Sequence, residues 1–254
     1  MKLQISILAL ILFCSSNAQE IKDYKTIKYQ VSFSNSTHII AQSILYFNDS
    51  VSFYVPSYKT KLEVNNNKKE VDLNLRCKNW IKTQTNRNEL WIQSNIAHDS
   101  YLVLDNTIDH KWTLMEDQKL IGNLLCHKAM TEFRGRKYIA WFTHYKEKVG
   151  PWKFHGLPGI ILHLYEADFY VSYEAVSIDL KKNENKRTFK SCGEKLDIKA
   201  FVSIKEEIEV SKYLEILKSR LPKGARIESG KKLNRFDSNV QELIFEWETQ
   251  NEKK

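Results

Sequence analysis

Gly150-Pro-Trp-Lys-Phe-His-Gly-Leu-Pro-Gly-Ile-Ile161 holds two of the chain's four prolines and three of its eight glycines. Proline fixes φ at about −65° and removes an amide donor, while glycine admits positive φ and close backbone approach. The stretch reads as a loop of specified shape. It runs into an apolar strand, Ile160-Ile-Leu-His-Leu-Tyr165, in which Ile160, Leu162 and Leu164 face one way and Ile161, His163 and Tyr165 the other. A shaped loop feeding an alternating strand decides for a β scaffold.

Working outward, short β-rich segments recur at the spacing of a meander. Tyr29–Phe33, Ile44–Phe47 and Val51–Val55 read as strands, with Asn48-Asp49-Ser50 as a turn and Pro56 as a stop. Glu89–Ile92 and Tyr101–Leu104 follow. Trp112–Met115 predicts a strand, Glu116-Asp117-Gln118 a turn, and Lys119–Met130 a further strand region interrupted by Gly122. Arg134-Gly135-Arg136 predicts a tight turn before the aromatic strand Lys137–Thr143. Tyr170–Val176 pairs back across a turn at Ala167-Asp168. This is an antiparallel pattern, without the alternation of helix and strand that a parallel α/β sheet requires.

The last third changes character. Residues 181–187 are a charged loop, and Ser203–Arg220 fits a helix with Val210, Leu214, Leu217 and Leu221 on one stripe. Pro222-Lys223-Gly224 stops it. The tail from Asn239 to Trp247 admits helix or strand, and residues 200–254 are read as a helical C-terminal part.

Residues 1–18 predict a secretory signal: a basic Met1-Lys2, an apolar Leu3–Phe13, and Ser16-Asn17-Ala18 as a small-residue cleavage site. The expectation is an exported mature chain from residue 19, periplasmic or secreted, forming a single β-rich domain over 19–254. Its charge of about +7 (the chain's +8 less Lys2) is spread in pairs with acids between them. That surface suits peripheral contact with an anionic membrane face or acidic partners. It lacks the focused basic stripe of a nucleic-acid groove, so no nucleic-acid partner is expected. Cys77, Cys126 and Cys192 remain after cleavage, and in an oxidising compartment they allow three alternative disulfides. No CxxC is present. Cys126 and His127 are neighbours on a strand and point to opposite faces, which favours a structural cysteine over a nucleophile.

Several spaced motifs then resemble the GLPGLI family of exported proteins, found mainly in Bacteroidetes. They are Ile121-Gly122, Cys126–Ala129, Phe133–Arg136, Ala140–Thr143, Gly150-Pro151 and Phe154–Ile161, in order, with a signature core over 112–178. The chain departs from the pattern at Ile160, where the family has Leu, and at 144–149. The resemblance implies an envelope location and no established reaction. It also implies a curled antiparallel sheet of the lipoprotein-carrier type, a half-barrel-like meander with a C-terminal helix packed on it. That is a fold analogy, which carries no function by itself.

The candidate binding residues are the signature loop and its edge: Arg134, Arg136, Trp141, Gly150, Pro151, Phe154, Gly156, Leu157, Pro158 and Gly159. Arginine forks suit carboxylates, and the aromatic cluster suits an apolar groove. The competing structural reading has the arginines paired to Glu132 or Asp168, or stacked on Trp141, and the aromatics in the core. His127, His155 and His163 are weak metal candidates, since no two histidines stand at HxH or HxxxH spacing. There is no GxSxG and no HExxH, and Glu166 with Asp168 does not make a glycosidase pair. No catalytic residue and no cofactor is assigned. The expected function is a non-catalytic module that binds a small apolar or peptide-like ligand or an envelope protein. The alternatives are a thiol- or metal-dependent hydrolase and a structural component of an outer-membrane assembly.

Overall fold

The computed structural model describes residues 18–34, 40–57, 60–64, 67–71, 77–84, 89–220 and 241–248. The signal segment through Asn17, the helix stop at 222–224 and the terminal lysines lie outside these residues. The described chain forms β1 (Ala18–Ile21), β2 (Tyr24–Phe33), β3 (Ile40–Phe47), β4 (Val51–Ser57), β5 (Thr60–Val64), β6 (Asn67–Val71), β7 (Trp80–Gln84) and β8 (Leu90–Ile96). It continues through β9 (Asp99–Asp105), β10 (Thr113–Ile121), β11 (Leu124–Phe133), β12 (Arg136–His144), β13 (Gly159–Glu166), β14 (Val171–Asn183), β15 (Arg187–Lys190), β16 (Glu194–Asp197) and the helix α1 (Ile198–Arg220). Twelve strands make one curled, unclosed sheet in the order β10-β11-β12-β13-β14-β2-β3-β4-β7-β8-β9-β16. Every pairing is antiparallel except β16 with β9. The fold is the mainly β architecture, with a C-terminal helix on a curled sheet, that the chain's pattern predicts.

Strict alternation gives the central strands two buried faces. Leu45 of β3, Tyr54 of β4 and Ile81 of β7 belong to one core; their neighbours Tyr46, Phe53 and Trp80 belong to another. The second core is covered by the small β1–β15 sheet, whose Phe189 stacks on Phe53 with centroids 4.0 Å apart. A disulfide joins Cys77 to Cys192 across this side, and Cys126 is left as a buried free thiol.

The 145–158 connection between β12 and β13 buries Glu147, Val149–Pro151, Lys153, Phe154 and Leu157 and leaves Lys146, Lys148, Gly156 and Pro158 exposed. Phe154 packs on Tyr138, Phe133 and His110, at centroid distances of 4.6, 5.4 and 4.8 Å. A Cβ on Gly150 would stand 2.7 Å from the Phe154 carbonyl, and one on Gly159 only 1.9 Å from the Thr143 carbonyl. Those approaches, more than dihedral freedom, require glycine at both places. Inside the loop Glu147 pairs with Lys25 at 2.5 Å, and both are buried.

Four local expectations are corrected. Residues 116–118 are no turn: they lie within β10, where the register shifts between Leu114 and Gln118. Because β10 is an edge strand, its extra residues can bulge without disturbing a second neighbour. The hairpin turn falls at Gly122-Asn123, where Gly122 adopts φ 57°. Pro56 lies inside β4, opposite Ser43. The β4–β7 ladder covers only Val51–Tyr54, so the missing amide interrupts no hydrogen bond. The 181–187 segment is partly strand, since β14 runs to Asn183 and β15 begins at Arg187.

The helix begins five residues earlier than predicted, because the Asp197 carboxylate accepts from the Ala200 amide at 2.8 Å and caps it. Its packed stripe is Ile198, Phe201 and Val202, while Tyr213 and Ile216 are half exposed. The described tail, 241–248, is extended with one turn and is not helical.

Candidate functional site

The Arg134-Gly135 turn positions the site. Both residues take positive φ, 48° and 80°, as a two-residue hairpin with the right-handed twist of its strands demands. This geometry turns the Arg134 carbonyl outward, where it accepts from the amides of Leu243 and Ile244 at 2.9 and 3.2 Å. The C-terminal segment is thereby strapped across the hairpin. Tyr138 Oη donates to the Gln241 carbonyl, and the Gln241 amide donates to Tyr173 Oη at 2.6 Å.

The Arg134 side chain turns inward beneath the strap. Its guanidinium donates to Asp105 at 2.9 Å, Thr107 at 2.9 Å and Glu246 at 3.1 Å, and it also pairs with Glu242. Lys153 from the signature loop reaches Asp105 at 3.3 Å and Glu242 at 2.7 Å. Two cations and three carboxylates from four distant segments therefore share one network, buried at Arg134, Lys153 and Asp105 and reaching solvent at Glu242 and Glu246. Burial pushes the Asp105 pKa up, but the charges of Lys153 and Arg134 outweigh it and hold the carboxyl below its usual range. Glu242 follows the same logic and is also held low. Burial alone would lower the Arg134 pKa; Glu242 and Asp105 raise it.

Beside this clamp lies a cleft of about 390 Å³. Its floor is the sheet face carrying Val31 opposite Ala41 on β2 and β3, and Tyr54, Ile81 and Ile92 in register across β4, β7 and β8. Its roof is the first turns of α1, through Phe201 and Val202, and its side wall is Gln241, Glu242 and Phe245 of the strap. Gln42, Ser94, Lys205 and Glu209 supply the polar rim. An apolar floor and roof with a polar and charged margin suit an amphipathic or peptide-like ligand.

Of the loop residues read as candidate binders, Gly150, Pro151, Phe154, Gly156, Leu157, Pro158 and Gly159 do not line the cleft; Trp152 and Lys153 between them do. Arg134 borders it through Glu242 and Phe245. Arg136 lies 3.6 Å from Glu166 and 4.3 Å over the Tyr170 ring. Trp141 sits apart, between the ammonium groups of Lys119 and Lys128 at 4.3 and 5.8 Å. Arg134 is thus paired with Asp105, Glu242 and Glu246, and Arg136 with Glu166. Residues 105, 153 and 242 meet only in three dimensions, so no local pattern marks them.

The three metal candidates do not meet. His127 neighbours His144, His155 neighbours His110, and His163 faces Lys119 and Ser172. Among the described residues no three of His, Cys, Asp and Glu are placed to share an ion. The Cys126 thiol has its pKa pushed up by burial, against the opposing charge of Lys119.

No family model and no curated protein matches the chain. Among solved structures it is similar to PNGF-II in a C2 crystal form, at 19% identity and a TM-score of 0.47, over 64% of this chain and 28% of that one. PNGF-II in a P21 form is similar at 16% identity and a TM-score of 0.49, over 71% and 32%. The chain thus spans less than a third of the PNGF-II chain.

Proposed function

We propose that this chain is an exported, non-catalytic binding module of the GLPGLI type, holding an apolar or peptide-like ligand between its curled sheet and α1. The observation that supports this reading is the cleft itself: a sheet face left unfilled, roofed by a helix and walled by an ion-locked strap. The Cys77–Cys192 disulfide fits an oxidising compartment and supports export. A thiol-dependent hydrolase draws less support, since burial keeps Cys126 in its protonated, weakly nucleophilic form.

The test is titration with an environment-sensitive apolar dye and with hydrophobic peptides, on the parent and on Ala41→Phe. Ala41 forms part of the floor, so the larger ring occupies the cleft. Saturable one-to-one uptake by the parent, lost in the variant, is the expected result. Equal uptake by both chains, or none by either, overturns the proposal.

A further inference from the structure

One turn of the signature loop carries the loop's largest side chain in a conformation that suits glycine. The Phe154 amide donates to the Pro151 carbonyl at 3.1 Å, which makes Trp152 and Lys153 the central residues of a turn. Trp152 takes φ 54°, whereas Lys153 keeps negative φ. Positive φ at the first central position alone is the type II′ pattern, and glycine ordinarily stands there. A bulky residue so placed is an outlier, and such strain persists where the surroundings impose it, characteristically at ligand sites. The same loop does use glycine for a positive φ at Gly156, 93°. What the strained position gains is a place for an indole.

That indole stands at the cleft. Trp152 lines it and is only partly buried. Phe133 and Phe154 of the core pack on the ring, at centroid distances of 5.9 and 5.7 Å. The residues on either side are fixed, since Pro151 is buried and the Lys153 ammonium is held by Asp105 and Glu242. Other rings line the same space. Phe33 and Tyr170 form an edge-to-face pair at 6.2 Å, and Tyr54 and Tyr173 another at 6.4 Å. Ring–ring contacts are worth more than the area they bury, so this space favours an aromatic guest over an aliphatic one of similar size.

Taking the binding-module reading as given, we infer that Trp152 anchors the ligand and that the cleft takes a peptide through an aromatic side chain laid against the indole. Two observations favour a peptide over a lipid. Gln42, Asn79 and Ser94 line the cleft, and their amide and hydroxyl groups both donate and accept, as a peptide main chain requires. An acyl chain would leave them unused. The chain also seats an extended segment of its own along this cleft. The strap donates through its Leu243 and Ile244 amides and puts Phe245 into the cluster of Tyr101, Val103 and Phe201 at the cleft wall. A guest aromatic repeats beside Trp152 what Phe245 does at that wall.

The test is calorimetric titration of the full chain with two capped tripeptides, acetyl-Gln-Phe-Gln-amide and acetyl-Gln-Leu-Gln-amide. The Phe peptide is expected to bind roughly 2- to 10-fold tighter than the Leu peptide. Trp152→Leu, Trp152→Ala and Trp152→Gly each erase that preference and keep apolar dye uptake, because the sheet floor is untouched. Tyr213→Ala, which removes an exposed ring outside the cleft lining, keeps the preference. Trp152→Gly relieves the turn, so it unfolds at a higher midpoint than Trp152→Ala, the reverse of the usual order. Equal affinity for the two peptides in a parent that takes up dye overturns the inference and leaves the cleft reading standing. So does a preference retained in any folded Trp152 variant, or a Gly variant that unfolds before the Ala one. A parent that takes up neither dye nor peptide overturns both.

Discussion

The two faces of the same central strands end differently. On one, Tyr46, Phe53 and Trp80 are sealed under β1 and β15, with Phe189 stacked on Phe53 and a disulfide alongside. On the other, Tyr54, Ile81 and Ala41 meet a helix that touches the sheet through its first turns only, and a cleft remains. One face is closed by complementary rings. The other is closed at its margin by charge, through Arg134, Lys153, Asp105 and Glu242. Apolar closure carries no titrating group, whereas an ionic clamp loses strength when its carboxylates are protonated.

That contrast can be broken most severely at Arg134. Arg134→Leu leaves buried Asp105 and partly buried Glu242 with Lys153 as their remaining cation and is expected to cost about 3–5 kcal/mol in denaturant unfolding. On the sealed face, Phe53→Ala removes a fully buried ring and is expected to cost a similar 3–5 kcal/mol, roughly, without altering dye uptake in the cleft. The double variant Cys77→Ser, Cys192→Ser opens a closure across 115 residues and is expected to lose about 2–5 kcal/mol.

A gentler probe is acid. The folded pKa values of Asp105 and Glu242 lie below their unfolded values. The stability they contribute is therefore complete above the ordinary carboxylate range of about 4 and is lost as pH falls through the depressed folded values. Hydrogen exchange at the Leu243 and Ile244 amides should accelerate in that window before the β3–β4 ladder does. Simultaneous acceleration would mean that strap and sheet are one cooperative unit. Smallest in stability is Ala41→Phe, expected within about 1 kcal/mol because it enters open space, yet it separates the faces by abolishing uptake.

The faces were readable in the chain; the way they close was not. Alternation in Ile160–Tyr165 and Tyr29–Phe33 announces strands, and the density of Gly and Pro at 150–161 announces a loop of fixed shape. Burial of that loop follows from Phe154 and from the tight approaches at Gly150 and Gly159, which require knowing what lies opposite. The Glu116–Gln118 cluster looks like a turn because polar residues mark turns and edge bulges alike, and only pairing distinguishes them. The Val210–Leu214 periodicity is real, but the residues that dock the helix stand earlier, where Asp197 starts it. Arg134 finds its carboxylates 29, 108 and 112 positions away. No window on the sequence spans such distances, so the candidate site is legible only as one arginine and one loop.

The irregularity of β10 has a further effect. The two rims of a twelve-strand sheet are templates on which other polypeptides can grow. At one rim β16 is only four residues long and leads without a break into α1. At the other the offset between Leu114 and Gln118, with Glu116, Asp117 and Lys119 around it, denies an incoming chain a continuous run of amide partners. Deleting residues 115 and 116 to straighten that rim should turn a monodisperse protein into one that polymerises on standing, visible by light scattering.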